Sequence, residues 1–193
     1  MKKLILGALL GGIVLFAWGT ISWMLIPWHE PYLQAFKDEA AVAEVLKTNA
    51  PNAGLYMMPG DHDAATTDKN WEEGARRMAD GPFVFGVVRT TRQEWNLGRL
   101  LLGSFLIQTI GAFIITALLL TTRIPRYFGR VLFVATLGGL IGVLGHLPAY
   151  NWWEFPAGWT LINIMDLAIG WTLGGLVLAA ITKPRAPGGA RVG

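Results

Sequence analysis

One carboxylic acid, Asp166, lies inside the long apolar stretches of this chain, and a carboxyl in such a place has few uses. It can pin helices together by hydrogen bonding, relay a proton, or hold a small ligand. A centrally placed Asp costs about 2.5–3.5 kcal/mol on membrane-insertion scales, so it should face protein or a cavity and have a partner. Asn163 stands three residues earlier, on the same helical face. Gln108, on an apolar stretch running the opposite way, falls at a similar depth. Asp166, Asn163 and Gln108 are therefore the ligand- or proton-handling candidates, with Thr20, Ser22 and Thr160 as further polar neighbours.

Histidine offers the second chemistry. His146 is the other titratable group within the apolar stretches, His29 follows Trp28, and His62 lies in the sequence PGDHD. Three imidazoles from three segments could ligate copper or zinc, and two could hold a haem. None of the three histidines has a partner at ligand spacing on its own segment, so no cofactor is evident from the sequence itself. A metal or haem would require the fold to bring the segments together. There is no cysteine, which excludes disulfides, thiolate catalysis and Cys-ligated clusters. Phosphate-cradling loops, nucleophile elbows and metal-binding helix motifs are missing too, so the sequence favours a non-enzymatic role. Nothing in it suggests nucleic-acid binding.

The elements that must position these groups are four apolar runs, Leu4–Pro27, Leu100–Thr122, Val131–Ala149 and Gly158–Thr182. Each is long enough as a helix to cross a hydrocarbon core of ~30 Å. Charged residues make up only 15% of the chain, well below a soluble domain of this length. The first run is too long for the core of a cleaved signal and reads as a retained span.

Charge orients the spans. Lys2, Lys3, Arg123, Arg126, Arg130, Lys183, Arg185 and Arg191 fall on the N-terminal stub, the second connection and the C-terminal tail, with no acid among them. Four spans place these segments on one side, and the positive-inside rule makes that side cytoplasmic. Both termini are then cytoplasmic in the cell inner membrane. The segment 28–98 holds eleven acids against seven bases, a net charge of −4, and falls outside. Trp23, Trp28, Trp95, Trp152, Trp153 and Trp159 map to the outer boundary, where amphipathic rings form an interface belt.

The outer segment predicts two short helices and two strands. Leu33, Phe36, Ala40, Ala43 and Leu46 form a stripe at helical spacing after Pro31. Leu55–Met58 and Phe83–Val88 have strand composition and could pair. Between them, a helix capped by Asp68 and stopped by Gly81 is expected. An insert this small is expected to have little stability alone.

The spans carry small residues four apart, Gly7 with Gly11, Gly138 with Gly142, and Gly170 with Gly174, which lets helix backbones approach closely. The chain thus reads as an all-α membrane protein, a four-transmembrane-helix bundle with a small α+β extracytoplasmic insert between spans 1 and 2. Its parts are 1–27 (stub and first span), 28–98 (cap), 99–182 (spans 2–4) and 183–193 (basic tail). The expected role is an accessory, assembly or scaffold subunit in the lipid bilayer, binding another membrane protein or a second copy through the cap or a glycine-lined face. Two alternatives stand beside it: a transporter or ligand-binding protein with an outer-facing cavity around Asp166, and a metal- or haem-dependent membrane enzyme using His29 and His146.

Overall fold

The computed structural model describes residues 1–60 and 71–183. His62, Asp68, Arg185 and Arg191 lie outside the described residues. Four long helices dominate: α1 Lys2–Met24, α4 Leu97–Thr121, α5 Tyr127–Trp153 and α6 Ala157–Ile181. Between α1 and α4 come a 3₁₀ turn at Glu30–Tyr32, α2 Glu39–Asn49, β1 Gly54–Met58, α3 Trp71–Asp80 and β2 Val84–Val88. All four long helices have the length and apolarity to cross a membrane. Each expected run is a helix, with its ends shifted by a few residues.

The chain forms two compact units. The first comprises residues 1–33 and the chain from Asn96 onward; the second is 34–95. Within the first unit, α1 packs between α4 and α6, and α6 packs extensively on α5. α4 and α5 follow each other in sequence, yet they touch little. The core joins Leu15, Ala112, Ile115, Leu119, Val134, Trp171 and Leu178 from all four helices. Most other large apolar side chains point outward; Leu102, Ile107, Leu132 and Leu144 are each more than half exposed. An exposed apolar surface of this extent suits lipid and is costly in water.

The paired glycines are consumed inside this bundle. A Cβ on Gly7 would sit 2.6 Å from Thr116 Oγ1, and one on Gly11 would sit 3.0 Å from the Ala112 Cβ. At Gly138 it would meet Trp171 Cγ at 2.7 Å, at Gly142 the Ile164 Cα at 3.1 Å, and at Gly170 the Trp18 Cδ1 at 2.7 Å. Gly174 lies in ordinary contact with Leu15. Close approach of backbone to large neighbours is thus what these glycines permit. Gly19, Gly103, Gly139 and Gly145 have open space where a Cβ would go.

Arg130 is more than an orienting charge. It is 2% exposed, and its guanidinium donates to four carbonyl contacts: Nε and Nη2 to Ala179 O, Nη1 to Ile124 O and Pro125 O. Ala179 lies in the last turn of α6, whose carbonyls have no partner within the helix. A cation at that end also complements the helix dipole.

In the second unit, β1 and β2 pair antiparallel, with Leu55 opposite Val87 and Met57 opposite Phe85. The expected pairing of these two strands is therefore present. The stripe from Leu33 to Leu46 does not form one helix, however. Asp38 breaks it: its carboxylate accepts the Ala41 N–H at 2.9 Å and caps α2, while Pro31 sits in the separate 3₁₀ turn. Gly81 follows α3 at φ +63°, a left-handed conformation that glycine adopts without strain. Ala50 is the only buried residue of this unit among those described.

Candidate functional site

α6 begins after Pro156, whose carbonyl accepts the Thr160 N–H, and its second turn onward presents Asn163, Asp166 and Gly170 along one side. Gly170 lets Trp18 of α1 lie against α6. The Trp18 indole N–H then reaches two acceptors on Asp166, the carboxylate Oδ1 at 2.7 Å and the backbone carbonyl at 3.0 Å. Asp166 therefore ties α6 to α1. The donor is an indole, a partner that a search for polar residue types passes over.

Asp166, Asn163 and Gln108 come together on one cavity of about 490 Å³ within the helical unit. It lies toward the end of the bundle where α1 and α5 finish and α4 and α6 begin. His146 of α5 and Ser104 of α4 also line it, and Phe16, Trp18, Trp23 and Trp171 supply aromatic surface. The volume falls in the range of small-molecule sites, about 300–1,000 Å³. Contact between α4 and α5 is sparse beside the gap, and Gly19 has open space where a Cβ would go.

The polar groups differ in how far they are committed. Asn163 is buried and donates through Nδ2 to the Trp159 carbonyl at 2.8 Å, one turn back on its own helix. The Thr20 hydroxyl donates to Phe16 O at 3.0 Å in the same fashion. Among the described residues, none donates to Asp166 Oδ2 and none hydrogen bonds to the Gln108 amide. Ser22 is buried elsewhere, accepting from Trp28 Nε1 at 3.1 Å.

The histidines divide. His146 lines the cavity; His29 is not among the lining residues. His29 is 3% exposed and enclosed by tryptophans, stacked on Trp23 at 3.9 Å and met edge-on by Trp28 and Trp159 at 5.7 and 6.0 Å. Neither of its ring nitrogens has a hydrogen-bond partner among the described residues, and Thr160 Oγ1 is likewise unpaired. No three His, Asp or Glu side chains among the described residues are grouped to hold a metal ion. The six belt tryptophans divide as well. Trp23, Trp28 and Trp159 gather around His29, with Trp23 still half exposed, whereas Trp95 and Trp152 are more than two-thirds exposed.

Compared with known proteins, the chain matches no family model, no curated protein and no solved structure. The site's chemistry must be read from its own residues.

Proposed function

We propose that this protein binds a small ligand in the cavity at Asp166, within a four-span bundle of the cell inner membrane. Both termini face the cytoplasm and the 28–98 insert lies outside, as the acid-free basic segments favour. The cavity then sits in the outer half of the bundle and, in this reading, takes its ligand from that side. The observation that carries this reading is the convergence of Asp166, Asn163 and Gln108, from two different helices, on one 490 Å³ space. A carboxyl needed only to clasp helices requires no such space beside it. Transport would add an exit on the inner side; binding requires only the cavity.

The test is a stability screen of the purified protein in lipid nanodiscs against small molecules of every charge class. A ligand that binds only the folded state raises the unfolding midpoint. The reading predicts hits whose effect is lost in Asp166→Asn. Hits that persist unchanged in that variant, or a screen without any, would count against it.

A second reading, partner binding by the insert, draws on one observation. One face of the two-stranded sheet carries Leu55, Met57, Phe85 and Val87, with Leu55 65% and Val87 81% exposed. The unit beneath has almost no core of its own. An accessory or scaffold role would cover this face with another membrane protein or a second copy. Affinity purification in mild detergent tests it, and recovery of the lone monomer from both wild type and Val87→Asp sinks it. The glycine-lined faces support this role less, because the paired glycines are occupied within the bundle.

A further inference from the structure

We infer that the ligand of this cavity is a small protonated amine carrying an apolar or aromatic body; the inference rests on the ligand-binding reading above. It follows from counting donors and acceptors. Three of the groups at the cavity have turned a proton inward to the protein: Trp18 to Asp166, Asn163 to the Trp159 carbonyl, and Thr20 to the Phe16 carbonyl. What they leave toward the space is mostly acceptor. Asp166 keeps Oδ2, Asn163 keeps its amide oxygen and one N–H, and the Thr20 hydroxyl keeps its lone pairs; Ser104 and His146, also on the cavity, can each accept as well as donate. Gln108, uncommitted, can turn its carbonyl to the same point.

A ligand that satisfies this set must bring N–H or O–H donors, and the carboxyl among them favours donors that carry positive charge. No Lys or Arg is among the described residues lining the cavity. A carboxylate removed from bulk water is stabilised by an opposite charge; His146 is the one lining side chain that can carry one, and a cationic ligand can reach Asp166 Oδ2 directly. The aromatic lining suits the same guest. Tryptophan faces attract cations and accept apolar groups alike, whereas an anion would meet both the carboxylate and the ring quadrupoles unfavourably. The Trp18 bond fixes Asp166 Oδ1 at 2.7 Å and so holds the second oxygen in a defined place before the ligand arrives.

Three probes of nearly one shape test this: 2-phenylethylammonium, neutral 2-phenylethanol and anionic 3-phenylpropanoate. Each is titrated into the full chain in nanodiscs, with the unfolding midpoint and tryptophan emission as readouts. The ammonium should bind roughly tenfold or more tightly than either analogue, the discrimination of one well-placed ionic contact. Asp166→Asn should abolish the preference, its amide oxygen still accepting from Trp18. Gln108→Glu breaks no internal hydrogen bond, and it should strengthen ammonium binding and weaken that of the anion. Equal or tighter binding of the alcohol or the carboxylate, sensitive to Asp166→Asn, would overturn the amine assignment and leave the cavity reading standing. If none of the three binds and the wider screen is also empty, both fail. If the ammonium binds with an affinity unmoved by both variants, it is partitioning into lipid and the assignment is wrong.

Discussion

Trp18 and Asp166 should be energetically coupled, and a double-mutant cycle measures by how much. Trp18→Phe removes the indole donor while keeping an aromatic ring; Asp166→Ala removes the carboxylate acceptor. Hydrogen bonds to charged groups contribute about 1.5–3 kcal/mol in soluble proteins. Interhelical bonds within membranes average nearer ~0.6 and reach about 1.7 kcal/mol. Two features of this pair set the expectation. The Oδ1 contact is short, at 2.7 Å, which favours the upper part of the membrane range. The indole N–H also reaches the Asp166 backbone carbonyl at 3.0 Å, an acceptor that survives in Asp166→Ala and returns part of the loss. The coupling should therefore be about 1 kcal/mol in favour of the native pair. Packing lost with the larger ring, against Gly170, appears in both arms of the cycle and cancels. Reversible unfolding in mixed micelles gives the four stabilities. A coupling within about 0.3 kcal/mol of zero would refute the claim that this bond positions Asp166.

Two further substitutions test the bundle around the site. Gly138→Ala should destabilise by about 1–3 kcal/mol, since its Cβ would overlap Trp171, whereas Gly139→Ala next door, facing open space, should be neutral or slightly stabilising in the same unfolding assay. Arg130→Met should cost about 2–3 kcal/mol by leaving the carbonyls of Ala179, Ile124 and Pro125 without their donor, and Arg130→Lys should recover only part of it, because one ammonium cannot reproduce the guanidinium fork.

The four helices are legible in the sequence because lipid-spanning length and apolarity are properties of contiguous residues. The two strands are legible for a similar reason: Leu55–Met58 and Phe83–Val88 carry strand composition locally. α2 starts later than its apolar stripe implies, because one capping side chain, Asp38, outweighs the periodicity. Asp166, Asn163 and Gln108 are recognisable as a set from helical spacing and depth, and they do line one cavity. Their actual bonds are not recognisable. The donor to Asp166 is Trp18, a residue indistinguishable in sequence from the apolar wall around it, and Asn163 satisfies itself on its own helix. The tryptophans show the same limit. Six positions at one boundary suggest a belt, but the closure of Trp23, Trp28 and Trp159 around His29 depends on how the first and last long helices meet. Arg130 counts as one more positive charge until its burial is seen.

The chain has no cysteine, so a single one introduced into the cavity reports directly on whether Asp166 faces a solvated, charge-selective space. Ser104 lines the cavity, while Leu102, two residues away on the same helix, is 59% exposed and not among the lining residues. Modification of Ser104→Cys and Leu102→Cys by cationic and anionic methanethiosulfonates should separate them. The account predicts that Ser104→Cys reacts much faster than Leu102→Cys, prefers the cationic reagent, and loses that preference when Asp166→Asn is added. Reaction of Ser104→Cys no faster than Leu102→Cys, or without charge preference, would contradict it.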